Sequence, residues 1–282
     1  MIYLNGEFMP IERARVPVLD RGFIFGDGVY EVIPVYSRHP FRLAEHLRRL
    51  QDSLDAISLV NPHDNSTWKR LIERVVELNE PEDQSVYLHI TRGPAKRDHA
   101  FPTTITPTVF IMSNPLITPP QRQVNEGVCA ITAVDNRWWR CDIKAISLLP
   151  NVLLRQQAVE AGCAETVLLR DGFVTEGAAS NIFVVANGVL LAPPKNHLIL
   201  PGITYDVVLE LAHANGLPHE LRQIPEYELR GAEEIWLTSS TKEVLAVTQL
   251  DDKPVGKGKP GHVFARMYRL YQDYKNQFMR LA

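Results

Sequence analysis

NPLITPPQRQ, residues 114–123, is the stretch that divides the chain. Three prolines in a polar setting leave neither a helix interior nor a central strand able to complete its backbone hydrogen bonds. The reading is an interdomain linker over 117–123, a smaller N-terminal α/β domain over 1–116, and a larger C-terminal domain of mixed β character over 124–282.

On the N-terminal side, IYLNGEFM (2–9) and VYEVIPVY (29–36) read as strands, and PFRLAEHLRRLQDSLDAI (40–57) and TWKRLIERVVELN (67–79) carry apolar residues at helical spacing. SVYLHITRG (85–93) and TVFIMSN (108–114) read as two more strands. The polar segment between them, 94–107, is long for a hairpin and is a candidate functional loop. On the C-terminal side GVCAITAV (127–134), ETVLLR (165–170), IFVVANGVLLAP (182–193) and EEIWLTSS (233–240) read as strands, with helices over 150–162, 203–215 and 262–278. The fold class is therefore α+β or mixed α/β in two domains.

Lys and Arg total 30 against 33 Asp and Glu, with no long run of one sign, so charge gives no argument for nucleic acid or a membrane surface. The first residues lack a basic stretch followed by an apolar core, and no apolar run reaches the length of about 18 residues that a spanning helix needs. A cytoplasmic protein with a small-molecule substrate is expected. Cys129, Cys141 and Cys163 form neither a CxxC pair nor a disulfide framework, and the nine histidines show no HExxH motif, so no metal is expected.

Five segments can carry chemistry. Lys144, in RWWRCDIKAISLLPNVLLRQQA (137–158), lies in a weakly charged stretch leading into an apolar run. A partly desolvated lysine forms imines, although such a lysine also reads as one that snorkels from a strand end. DGFVTEGAASNIFVV (171–185) supplies Glu176, then small residues, Ser180 and Asn181. A carboxylate there can hold a pyridine nitrogen protonated; the same residues also make an ordinary turn. LPGITYDVVLELA (200–212) sets Ile203 and Thr204 in the first turn of a helix, where free amides meet a phosphate or where Thr204 simply caps the helix. LTSSTKEV (237–244) offers Ser239 and Ser240 for an anion, or a plain turn. TRGPAKRDHAFP (91–102) places Arg97 and His99 two residues apart, on one face of an extended segment, where with Tyr30 they can grip a carboxylate. The same loop also reads as solvated charge.

Taken in order and spacing, RGFIFGDGVYEV (21–32), ITRGPAKRDHAFP (90–102), the Lys144 segment, VTEGAASNIF, LPGITYDVV and LTSSTKEV resemble the D-amino acid aminotransferases among the fold-type IV pyridoxal phosphate enzymes, through nearly the whole chain. The lysine, TEG and GIT blocks mark the wider superfamily; RGFIFGDGVYEV with Arg97 and His99 points to the D-amino acid group.

The resemblance implies that pyridoxal 5'-phosphate is bound by the 124–282 domain, with Lys144 as its Schiff-base lysine and proton shuttle and Glu176 paired with the pyridinium nitrogen. It implies a cofactor-phosphate role for Arg49 of EHLRRL, in preference to Arg48, helped by Ile203, Thr204, Ser239 and Ser240, with Ser180 and Asn181 also at the cofactor. Glu31 and Leu200 match positions near it. Tyr30, Arg97 and His99 form the α-carboxylate trap, in a homodimer whose trap loop comes from the partner subunit. Where the family pattern after TEG is rich in serine, this chain has Ala178 and Ala179, which bears on fine specificity.

The reaction implied is ping-pong transamination between D-amino acids such as D-alanine or D-glutamate and 2-oxo acids. Alternatives on the same scaffold are a branched-chain L-amino acid aminotransferase, an (R)-amine transaminase, an aminodeoxychorismate lyase and a non-catalytic cofactor-binding protein.

Overall fold

A computed structural model describes residues 1–280 and divides into two compact units: Met1–Leu116 with Ile143–Leu148, and Ile117–Asp142 with Leu149–Ala282. The short Lys144 segment, read from sequence as part of 124–282, thus packs with the first unit.

The first unit is built on a six-stranded sheet in the order Glu7–Met9, Ile2–Leu4, Thr108–Pro115, Gln84–Thr91, Gly28–Tyr36, His39–Pro40, antiparallel throughout. Helices Leu43–Ala56 and Asn65–Glu77 pack against it. Asp64 caps the second of these, its carboxylate accepting the Thr67 N–H at 2.7 Å. Along Gly28–Tyr36 the period-two alternation turns Val29, Ile33 and Val35 into the core with Leu47, Leu50, Leu54, Trp68 and Ile72. Truncating a wholly buried ring such as Trp68 to Ala costs about 3–5 kcal/mol by this packing alone.

Ile143–Leu148 lies along the start of the same strand. Tyr30 N–H donates to Lys144 O at 3.0 Å, Ile146 N–H donates to Gly28 O at 3.1 Å, and Val29 bridges Ala145. Ile143 is buried in the core and Ala145 packs against it, which by alternation turns Lys144 the other way.

The second unit holds a mixed sheet in the order His219–Leu221, Val189–Ala192, Asn181–Ala186, Glu234–Ser239, Glu243–Leu250, Val128–Val134, Glu165–Arg170, Phe173–Gly177, with Lys253–Pro254 pairing beside Glu243–Leu250. Val128–Val134 runs parallel to both of its neighbours. Helices Ile203–Ala214 and His262–Met279 pack on each other and on the strand Glu234–Ser239. Glu234 accepts the Val263 and Phe264 amides at 3.0 and 2.7 Å, so a buried carboxylate caps the last helix.

The mixed α+β expectation is borne out, with local corrections. IYLNGEFM and IFVVANGVLLAP are hairpins, not single strands: each breaks at Asn-Gly, with φ +48° and +102° at Asn5 and Gly6, and +51° and +71° at Asn187 and Gly188. In the linker, the preceding strand runs on to Pro115, at its end, and Gln121–Glu126 forms a short helix that begins after Pro120, whose missing N–H costs nothing at that position.

Among the described residues no helix is long and apolar enough to cross a membrane, and no group of three or more His, Cys, Asp or Glu side chains is placed to hold a metal ion.

Candidate active site

In the first unit, the helix Leu43–Ala56 buries two parallel stripes: Leu47, Leu50 and Leu54, and beside them His46, Arg49 and Ser53. The polar stripe meets Glu31, which the strand's alternation buries on the same face. Arg49 grips Glu31 bidentately, Nε to Oε1 at 2.8 Å and an Nη to Oε2 at 2.7 Å, and His46 Nδ1 lies 2.8 Å from Oε2. Burial acts to raise the Glu31 carboxyl, but Arg49 and His46 together hold it well below the usual carboxylate range. Burial pushes the His46 imidazole down, so it is neutral, with its Nδ1 proton directed at the carboxylate. Nε2 of His46 is a buried atom without a hydrogen-bond partner among the described residues.

Ser53 Oγ accepts the Lys144 amide N–H at 3.2 Å, and Lys144 Nζ stands 4.2 Å from the centre of the Tyr30 ring. Tyr30 faces Tyr87 at 5.6 Å, and the Tyr87 hydroxyl is 2.8 Å from His89 Nδ1. Burial pushes the Tyr87 phenol up to about 12, so it stays protonated. Lys144 thus lies against Tyr30, while Glu31, Arg49 and His46 form a cluster on the core face of the same strand. Arg48, the alternative to Arg49, is exposed. Arg97 and His99 sit together on an exposed loop, both against the Phe25 ring, at 5.5 and 5.3 Å. No hydrogen bond or ring contact joins them to Tyr30 among the described residues.

In the second unit, Glu176 is buried on the strand Phe173–Gly177. Its Oε1 accepts from Arg137 at 2.5 Å; its Oε2 accepts from the Leu200 amide at 3.0 Å and from Asn181 Nδ2 at 3.2 Å. Arg137 is shared: it also binds both oxygens of Asp135 at 2.9 Å, and Arg170 and Thr175 bind Asp135 in turn. Burial therefore outweighs Arg137, and the Glu176 carboxyl is pushed up to about 7.

Ser180 is turned elsewhere: its hydroxyl donates to Glu165 at 2.8 Å, and Lys242 Nζ reaches the same carboxylate oxygen at 2.6 Å. Ala178 is buried in a small apolar cluster with Leu154 and Leu168, whereas Ala179 is exposed. Ile203 and Thr204 open the helix Ile203–Ala214 after Gly202, with no side-chain cap, so the first-turn amides point out of the helix end. Ser239 ends the strand before a tight turn in which its hydroxyl accepts the Lys242 N–H at 3.0 Å, and Ser240 lies in that turn. Thr238 Oγ1, in register with Asn181, is a second buried atom without a partner among the described residues.

The sequence reading missed Asp135, Arg137, His46, Ser53 and Tyr87. The i, i+3, i+7 spacing of His46, Arg49 and Ser53 beside the leucine stripe is the signal that marks the first cluster; nothing local marks the 39-residue separation of Arg137 and Glu176.

The sequence model of the family described as Amino-transferase class IV matches residues 28–250. The chain belongs to this family. It is 42% identical over 260 residues to a D-alanine aminotransferase of Bacillus licheniformis, covering 92% of each chain, and 35% identical over 273 residues to one of Staphylococcus aureus, covering 97% of each. Among solved structures it resembles the branched-chain amino acid aminotransferase of Escherichia coli, with a TM-score of 0.88 and 26% identity over 99% of this chain and 94% of that one. A branched-chain amino acid aminotransferase of T.th. solved with pyridoxamine 5'-phosphate is as similar, with a TM-score of 0.89 and 27% identity over 96% of this chain and 92% of that one.

Class IV aminotransferases work with pyridoxal 5'-phosphate. The residues present fit it. Lys144 offers an amine beside an aromatic face, Glu176 offers a buried carboxyl poised to meet a basic ring nitrogen, and the uncapped amides at Ile203 and Thr204 offer donors to a phosphate.

Proposed function

We propose that this aminotransferase moves amino groups between D-amino acids of the D-alanine and D-glutamate type and 2-oxo acids, as a cytoplasmic homodimer. The observation that carries this reading is the 42% identity to a D-alanine aminotransferase across 92% of the chain, in a sequence that also has Tyr30, Arg97 and His99.

When bound, pyridoxal phosphate supplies an electron sink for the pair released at the substrate α-carbon. Lys144 would hold the cofactor through its side-chain amine and is the group that would move the proton at the substrate α-carbon. Glu176 keeps the ring nitrogen protonated. Arg137, Asn181 and the Leu200 amide fix the orientation of that carboxylate. Arg49, the amides of Ile203 and Thr204, and the hydroxyls of Ser239 and Ser240 would bind the phosphate, with Asn181 beside the cofactor; Ser180, whose hydroxyl donates to Glu165, would act there only indirectly. Tyr30, Arg97 and His99 hold the substrate carboxylate and so select which face of the α-carbon meets Lys144. Residues 124–282 are the larger part of the cofactor-binding scaffold.

The test is product analysis with D-alanine or L-leucine as donor and 2-oxoglutarate as acceptor. D-Glutamate formed from D-alanine supports the reading. L-Glutamate formed from L-leucine, with none from D-alanine, moves the chain to a branched-chain specificity; pyruvate released without an acceptor makes it a lyase.

A further inference from the structure

The RGFIFGDG segment ends in the residues that flank Tyr30, yet its own charged members, Arg21 and Asp27, have no part in the chemistry above. Arg21 is 3% exposed and carries three consecutive main-chain carbonyls. One Nη donates to Asp98 O at 2.6 Å and Ala100 O at 3.3 Å, and the other to His99 O at 3.4 Å. Its Nε donates to Asp27 Oδ2 at 2.7 Å.

The same Asp27 oxygen accepts Arg92 Nε at 2.8 Å. Arg92, 1% exposed, donates onward to Ile57 O and Ser58 O at 2.7 and 3.1 Å, at the end of the helix Leu43–Ala56. Its guanidinium lies 3.8 Å from the centre of the Phe101 ring. The loop is also stitched at its base, Arg21 N–H to Gly93 O at 3.0 Å and Ala95 N–H to Leu19 O at 3.1 Å. Above the Arg21 fork stand the exposed side chains of Arg97 and His99, with Phe25 touching Arg21, Arg97 and His99 alike.

Carbonyls at 98, 99 and 100 converge on one planar guanidinium only if that turn of backbone has a single conformation. A lysine in its place offers one point charge and cannot span all three. We propose that Arg21 is the positioning residue of the substrate-carboxylate trap: anchored through Asp27 and Arg92, it holds the 98–100 backbone so that Arg97 and His99 are presented in fixed register. This rests on the reading of Arg97 and His99 as carboxylate ligands.

The experiment is steady-state kinetics of the holoenzyme with D-alanine and 2-oxoglutarate for Arg21→Gln, Arg21→Lys, Arg97→Ala and Arg21→Gln/Arg97→Ala, together with amide hydrogen exchange over residues 95–101. Misplacing the trap by a fraction of its span raises KM for both substrates about tenfold in Arg21→Gln, with kcat falling by less. The double variant is no worse than Arg97→Ala, because the two residues act through one element. Exchange quickens in Arg21→Gln and not in Arg97→Ala, and Arg21→Lys, the variant that keeps the charge if Gln fails to fold, gives an intermediate KM and intermediate exchange. Raised KM in Arg97→Ala with unchanged KM in both Arg21 variants overturns the positioning role and leaves the trap standing. Unchanged KM in Arg97→Ala overturns the trap itself, and the inference with it. Equal losses in kcat and KM in Arg21→Lys alongside native exchange would make Arg21 a general structural residue.

Discussion

Glu31 and Glu176 are both buried carboxylates facing an arginine, and they come out opposite. Glu31 has Arg49 side-on, with two parallel hydrogen bonds, and a neutral His46 besides. Glu176 has a single Arg137 nitrogen, because Asp135 takes the rest of that guanidinium. The first carboxylate is driven below its ordinary range; the second is raised from 4.5 to about 7. The sharing of an arginine, not its presence, therefore decides whether a buried acid is locked as an anion or kept responsive to a basic ring nitrogen.

Deleting either acid separates the two sites by what is lost. Glu31→Gln removes one partner of a buried ion pair and destabilises the protein by about 3 kcal/mol, read from the urea midpoint at constant slope. Glu176→Gln leaves the fold largely intact and lowers kcat by about a hundredfold if Glu176 has the proposed role at the cofactor's ring nitrogen. Loss of stability without loss of kcat in Glu176→Gln would reverse the assignment.

The pH dependence of the cofactor-free protein draws the same contrast more finely. Glu176 has a folded value above its ordinary 4.5, so its contribution to stability is fully present below 4.5 and is lost as pH rises through about 7. Glu31 has a depressed folded value, so its contribution is present above its ordinary 4.5 and is lost as pH falls into strong acid. Glu176→Gln flattens stability between about pH 4.5 and 7; an unchanged slope there would show that Glu176 is not the group that titrates. The smallest effect belongs to Arg48→Ala. This exposed neighbour of Arg49 changes stability by about 0.5 kcal/mol or less and leaves the affinity for pyridoxal phosphate unaltered by equilibrium dialysis.

Much of this was legible in the residues. The linker prolines, the amphipathic helices and the strand runs follow from backbone chemistry and periodicity, and they set out the mixed α+β elements. At Asn5-Gly6 and Asn187-Gly188 the turn interrupts apolar runs that read as continuous strands on both sides. Lys144 was visible as a residue, but its return to the first unit depends on Ile143 and Ala145 filling a core built by strands and helices that all lie earlier in the chain, on the far side of the linker. The same limit hides Arg137, whose partner lies 39 positions away, and redirects Ser180, whose hydroxyl goes to Glu165. Side-chain period tells which residues share a face; it does not tell which distant face they will meet.

The assignment of Lys144 and of D-amino acid substrates stands or falls on the visible absorption of the holoenzyme on mixing with D-alanine in the absence of any 2-oxo acid. The Lys144-dependent band is expected to be lost in the wild-type protein with D-alanine, to persist with L-leucine, and to be missing from the start in Lys144→Ala. A band that bleaches with L-leucine and not with D-alanine, or that survives intact in Lys144→Ala, would overturn the assignment.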